Sequence, residues 1–333
     1  MAKFKRKRIG LIFAGGAALS HQPKQWERVR RPEDARRWLE HVPELQLVAD
    51  VEPIFVTDKN ATEIGAPEWI AIATAVREYL PQVDGFVVLH GLETVHYTAN
   101  ALSLMLQQLP VPVVLSASPI PRPATSATQS EFGGRANIIN AAQVATSAGG
   151  DVCVVFGNRV IQGSRAQVEL TAGSLQVTSI DQRLLGQVDF GTKFFPERSG
   201  PRPKPVFRIH IDPNVLVTTV MPGSGLPPAE RTILKNVHGV VLRMHQGYFS
   251  LPKNYQQQLE QRAGEGMAVV VATPSPIETL PKSFIQLIGV SGSMAAVKTM
   301  WAIGVANGNT KQLRKLLLSD VAGEFTKVRG VVS

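Results

Sequence analysis

Four short apolar runs, Ile9–Ala14, Gly85–Leu89, Val111–Ser116 and Val152–Phe156, carry no polar alternation. Continuous runs of this kind are what strands covered on both faces require, so they predict buried parallel strands. Between them, Pro67–Leu80, Thr98–Leu109 and Ala136–Ala148 repeat apolar positions at the 3.6-residue helical spacing. Pro67 and Glu68 suit the first turn of the first of these helices. Strand and helix in alternation predict an open α/β sheet with right-handed crossovers.

The texture changes near residues 190–206, where Phe195-Pro196-Glu197-Arg198-Ser199-Gly200-Pro201-Arg202-Pro203-Lys204-Pro205 lacks hydrophobic periodicity and reads as an extended linker. Beyond it, strands are predicted at Val206–Ile211, Gly239–Leu242, Ala268–Thr273 and Phe284–Gly289, and helices at Tyr255–Ala263, Ala295–Val305 and Thr310–Leu318. The expected organisation is a larger N-terminal domain over 1–194, a linker over 195–205 and a smaller C-terminal α/β domain over 206–333. Ligands on open parallel sheets bind beyond the carboxyl ends of the strands. The segments to inspect are therefore Gly15–Ser20, Asn60–Ile64, His90–Val95 and Ser116–Arg135.

Length and composition fit this picture: 333 residues, 44% hydrophobic and 18% charged, accommodate two cores. One cysteine, Cys153, lies within an apolar strand run, which excludes an internal disulfide and a cysteine zinc framework. The seven histidines form no metal-binding spacing; His96, His238 and His245 are scattered singly. No organic cofactor or metal is expected. No run reaches the ~18 apolar residues of a membrane span. Lys3-Phe4-Lys5-Arg6-Lys7-Arg8 followed by Ile9–Ala14 resembles the start of a signal peptide, but Gly15-Gly16 breaks the apolar run early. A first strand and its glycine turn give the same pattern, and a cytoplasmic protein is expected.

Charge is uneven. The net charge is +9, and residues 1–40 hold eleven Lys/Arg against four Asp/Glu, a surplus of seven. Lys3, Lys5, Arg6, Lys7 and Arg8 could attract nucleic acid or another anionic partner. A solubilising tail explains the same residues, and no aromatic-rich binding motif accompanies them.

At the strand ends the chain resembles the cytoplasmic L-asparaginase family, from about residue 7 to residue 326. Gly15-Gly16-Ala17-Ala18-Leu19-Ser20 is similar to the family's G-G-T-I-A-S turn. Asn60-Ala61-Thr62-Glu63-Ile64 with Pro67-Glu68-Trp69 parallels D-S-T-D-M…P-E-D-W, and Val88-Leu89-His90-Gly91-Leu92-Glu93-Thr94 parallels V-x-H-G-T-D-T. Asn137…Asn140-Ala141, Gly292-Ser293-Met294 and Ala322-Gly323-Glu324-Phe325-Thr326 continue the match in order. The resemblance implies a Rossmann-like N-terminal domain with a mostly parallel sheet, and a homo-dimer or tetramer. A tRNA-dependent amidotransferase subunit is the less favoured branch, because it carries an extra N-terminal domain and strand one here starts almost at once.

The resemblance also implies amide hydrolysis through a threonine nucleophile, a Thr–Lys–Asp set that activates it or water, and an oxyanion site of backbone amides. Those side chains are missing. The turn threonine falls at Ala17, the second threonine at Leu92, the lysine at Val168 and the serine that grips the α-carboxylate at Ala61. Only the acid has a like replacement, Glu93, one methylene longer. Gly133-Gly134 stands for the family's Asp–Gly, and Arg243–Ser250 lacks the G-x-G-N pattern of a neighbouring subunit's site. Losing one member of such a set costs on the order of 10⁴–10⁶ in rate. A catalytically inactive homologue with a binding, scaffolding or regulatory role is expected. Any pocket would be formed by Gly15, Gly16, Ala61, Thr62, Glu63, His90, Gly91 and Glu93. The alternatives are a diverged amidohydrolase using Glu93 and a nucleic-acid- or ribosome-associated protein using the basic N-terminus. Lys59 could also reach inwards, although a solvated loop lysine is its simpler reading.

Overall fold

A computed structural model describes residues 6–15, 29–118, 127–147, 149–171, 173–189, 191–194, 204–220, 235–244, 251 and 253–326. The chain folds as two compact units, residues 1–209 and 210–333.

In the first unit β1 (Arg8–Ala14) is buried from Ile9 onward, as its unbroken apolar run requires. It pairs in parallel with β2 (Asp50–Thr57) on one side and β3 (Gly85–Gly91) on the other. Around it lie α1 (Pro32–Leu39), the short α2 (Leu45–Val48), α3 (Ala66–Tyr79) and α4 (Val95–Met105). The two-residue β4 (Leu106–Gln107) precedes β5 (Val113–Ser118), α5 (Ala127–Ala145) and β6 (Val152–Phe156). Past β6 the sheet turns antiparallel through β7 (Arg159–Gln162). A separate two-stranded hairpin follows, β8 (Ala166–Thr171) against β9 (Ser174–Ser179). β10 (Gly186–Val188) and β11 (Thr192–Phe194) then complete an eight-stranded sheet of order β11-β10-β7-β6-β5-β3-β1-β2.

Capping and packing hold these elements in register. Glu68 turns its carboxylate back onto the Gly65 amide at 3.0 Å, satisfying an orphan donor at the start of α3. Phe13 of β1 meets Trp38 of α1 edge to face, with ring centroids 5.3 Å apart, inside a core that includes Ile9, Val87, Val114 and Cys153. Cys153 is buried there as an ordinary apolar side chain. Val206–Ile211 was expected to open the second domain, but only β12 (Val206–Phe207) forms. It pairs with β4, and the Arg208 amide continues the contact to Met105 O at 2.9 Å. Most of the expected linker, 195–203, lies outside the described residues.

The second unit is a parallel four-stranded sheet, β13 (Val215–Val220), β14 (Gly239–Met244), β15 (Ala268–Thr273) and β16 (Ile285–Ile288), in that order. Among the described residues three helices accompany it: α6 (Lys253–Gly264), α7 (Gly292–Ala306) and α8 (Thr310–Leu318). Ser291 caps α7 by accepting from the Met294 amide at 3.1 Å. The Ala322–Thr326 motif has a structural cause. Lys298 of α7, fully buried, donates to Ser319 O at 2.6 Å and to Glu324, with Phe325's ring 4.3 Å away. Glu324 also accepts the Val321 and Ala322 amides, and Thr326 Oγ1 donates to Gly289 O at 2.8 Å. Each buried charge thus has partners, as burial demands.

Candidate active site

The carboxyl ends of β1, β2 and β3 converge through three contacts. Gly15, which follows β1, has φ +83°, and a Cβ there would stand 2.2 Å from the Lys59 carbonyl oxygen. Only glycine permits both the backbone angle and that approach. After β2, a single 3₁₀ turn, Ala61–Glu63, is closed by its own residues: Glu63 accepts from the Asn60 amide at 3.0 Å and from Asn60 Nδ2 at 2.8 Å. After β3, Thr94 donates its hydroxyl to Ala61 O at 2.6 Å, joining the two loops.

Of the predicted site residues, Gly15, Ala61, Thr62, Glu63, His90, Gly91, Leu92 and Glu93 thus lie on the linked ends of adjacent strands. Gly16 and Ala17 fall outside the described residues. Thr62 and Glu63 are exposed, whereas Ala61 and Leu92 are buried, Leu92 to 2% exposure. Val168 sits in β8, half-buried and paired with Val177. That hairpin is tied to the site by Asn100 of α4, whose Nδ2 donates to Gly163 O at 2.7 Å, just before β8. Neither Asn100 nor the Thr94–Ala61 bond was singled out from the sequence, because short polar side chains on a helix carry no pattern of their own.

His90 is fully buried between two partners: Nδ1 lies 2.8 Å from Gly91 O and Nε2 2.8 Å from Thr98 Oγ1. Thr98 Oγ1 accepts from Trp69 Nε1 at 3.0 Å, so its proton goes to His90 Nε2 and the ring carries its proton on Nδ1. Burial lowers the pKa of His90 to about 4, against the milder upward pull of the Gly91 carbonyl. The ring is neutral and fastens α4 to the end of β3. His96, in the first turn of the same helix, is also lowered to about 4, chiefly by burial, with its electrostatic coupling to His90 a smaller cause.

Lys59 is an exposed loop lysine, as its simpler reading expects, and it also makes an ion pair. Its ammonium lies 2.6 Å from Glu68, a buried carboxylate, and does not enter the loop cluster as a free base. The Glu68 hydrogen bond is the main cause that raises the Lys59 pKa. Asn137 likewise serves the fold, bonding Ala117 O at 3.0 Å and accepting the Gly157 amide at 2.8 Å.

Ala61 and Leu92 thus place buried apolar side chains in the cluster. Glu93 has Oε1 buried, and His96 Nδ1 and Asn100 Oδ1 are buried as well; none of these three atoms has a hydrogen-bond partner among the described residues. Among those residues no group of three or more His, Cys, Asp or Glu could hold a metal, and no helix is long and apolar enough to cross a membrane. At the opposite end of β1, Arg6 lies 3.5 Å from Asp50, Lys7 is 3.1 Å from Asp84, and Arg8 pairs with Glu52.

A sequence model of the family described as Asparaginase, N-terminal, matches residues 8–199. The chain belongs to the asparaginase family. An L-asparaginase of Thermococcus kodakarensis is 27% identical over 298 residues, covering 84% of this chain and 87% of that protein. A glutamyl-tRNA(Gln) amidotransferase subunit of Methanosarcina barkeri is 25% identical over 97% of this chain and 80% of its own length. Among solved structures, L-asparaginase I from Vibrio cholerae superposes with a TM-score of 0.80 at 20% identity, covering 97% of this chain and all of that one. The thermostable L-asparaginase of Thermococcus kodakarensis gives 0.76 at 22%, covering 96% and 99%. These likenesses show the fold: a large mostly parallel sheet and a separate smaller parallel one.

Proposed function

We propose that this asparaginase-family chain is a catalytically inactive homologue, a cytoplasmic protein of two or four copies that binds, scaffolds or regulates rather than hydrolyses amides. The observation that carries the reading is Leu92. Its side chain is 2% exposed at the end of β3, where the family resemblance calls for a reactive threonine. Ala61 is also buried, and Val168 lies on the hairpin that Asn100 holds against α4. Thr94, the nearby hydroxyl that remains, donates to a backbone carbonyl and supplies no nucleophile in that state.

A second reading, a hydrolase using Glu93 as general base, draws on the unpartnered Oε1. A general base needs a positioned nucleophile or water and an acceptor for developing charge. Glu93 has no such set beside it among the described side chains. A nucleic-acid surface at the N-terminus gains no support either, since Arg6, Lys7 and Arg8 each face a carboxylate. Lys3 and Lys5 lie outside the described residues.

Restoration tests the reading. In the combined variant Ala17→Thr, Leu92→Thr, Glu93→Asp and Val168→Lys, ammonia release from asparagine is expected to rise above that of the parent chain. Equal release from both would show that these positions are not what holds the chain inactive.

A further inference from the structure

The second unit contains a cavity of about 420 Å³ lined by its own residues. It opens at the amino-terminal ends of β14 and β15, between the last turns of α6 and α7 and the first turn of α8. Ligand pockets of small molecules run from roughly 300 to 1,000 Å³, so the space is adequate for one.

Its chemistry is built from two acid–base pairs. Asp212 accepts the Asn214 amide on Oδ1 at 2.9 Å and bonds His238 Nδ1 through Oδ2 at 2.6 Å. Glu265 accepts from Arg262 and, at 3.1 Å, from Gln261 Nε2. Both carboxylates are thus committed to protein donors. What they hold in place is basic: an imidazole fixed through Nδ1, whose side chain is 58% exposed, and a guanidinium. With Nδ1 committed, Nε2 is the imidazole atom left for a ligand, and an imidazolium donates from it. The start of α8 adds to the same field. Asn309 Oδ1 takes the Gln312 amide at 3.0 Å, while the amides of Thr310 and Lys311 stand ahead of any intrahelical acceptor. Met267, Ile303 and Leu313 add an apolar wall to the same lining.

We propose that this cavity binds a small organic oxyanion, a carboxylate or a phosphate monoester, with its head toward His238 and Arg262 and its body on the apolar wall. An inorganic ion alone would leave most of the volume and the apolar wall unused. The site is independent of the catalytic reading of the first unit, and its failure would leave that reading intact.

Titration of the full-length protein with phenyl phosphate, benzoate and neutral benzyl alcohol, followed by NMR of the histidine ring signals, tests it. One or both anions are expected to shift the His238 signal saturably, and the alcohol is not. Stronger binding of phenyl phosphate assigns the phosphate class, and stronger binding of benzoate the carboxylate class. His238→Gln and Arg262→Gln should each weaken binding by about tenfold, with the melting temperature measured alongside. Leu313→Trp, which narrows the wall without changing charge, should weaken phenyl phosphate more than inorganic phosphate. Three results overturn the proposal: no saturable shift with either anion, equal affinity for the neutral alcohol, or binding unchanged in all three variants.

Discussion

Gly15 shows how much of the loop cluster depends on single atoms. A methyl group there would occupy the space of the Lys59 carbonyl oxygen, 2.2 Å away, on a backbone at φ +83°. Gly15→Ala is therefore expected to destabilise the fold by about 1–3 kcal/mol or more, read as a lower urea midpoint. His90, buried, and His96, partly buried, make a second prediction at this scale. His90 and His96 titrate near 4 in the fold against 6.5 for a free imidazole, so between those values the unfolded chain binds more protons. Stability is then full above about 6.5 and falls as pH drops toward 4. A urea midpoint that does not decline across that window would contradict the burial argument. The proposed replacements at Leu92 and Val168 rest on the sequence, where a missing functional group is visible from residue type alone. The engagement of Lys59 with Glu68 was not legible there, because its partner lies nine positions on and depends on how the loop closes.

At the scale of elements, the β8–β9 hairpin stands out. Leu170 and Leu175 face each other across it and are 72% and 36% exposed, among the few large apolar side chains the described surface leaves open. Such a paired apolar tip suits contact with another copy of the chain. Leu170→Lys is expected to shift the protein toward monomer in sedimentation velocity while leaving its circular dichroism unchanged; an unaltered assembly would remove the hairpin from the interface. This hairpin, β10 and β11 were not anticipated, because β8 and β9 interleave polar with apolar residues and β10 and β11 are three residues long, so none carries the continuous apolar run that marked β1, β3, β5 and β6. β13 went unseen for a related reason. Val215–Val220 includes two threonines and is an edge strand, half-exposed along most of its length. The apolar start of Val206–Ile211 competed for that role, but only Val206 and Phe207 pair, and with β4.

At the scale of the molecule, the two-unit α/β architecture was readable because buried parallel strands, helical periodicity and a Pro-rich break are coarse signals. Internal fastenings hold the fold, from the His90–Thr98 bond to the buried Lys298–Glu324 pair. On the proposed reading, the departures from the family are apolar side chains at Leu92 and Ala61 beside the strand ends and at Val168 within the hairpin, together with a glutamate that has a buried, unpartnered oxygen. A sheet preserved around a site without nucleophile or amine is the central claim, and release of ammonia by the unaltered, purified chain tests it most directly. With L-asparagine and L-glutamine as substrates, the rate is predicted to equal that of the buffer alone. Steady turnover of either amide, proportional to protein concentration, would contradict it.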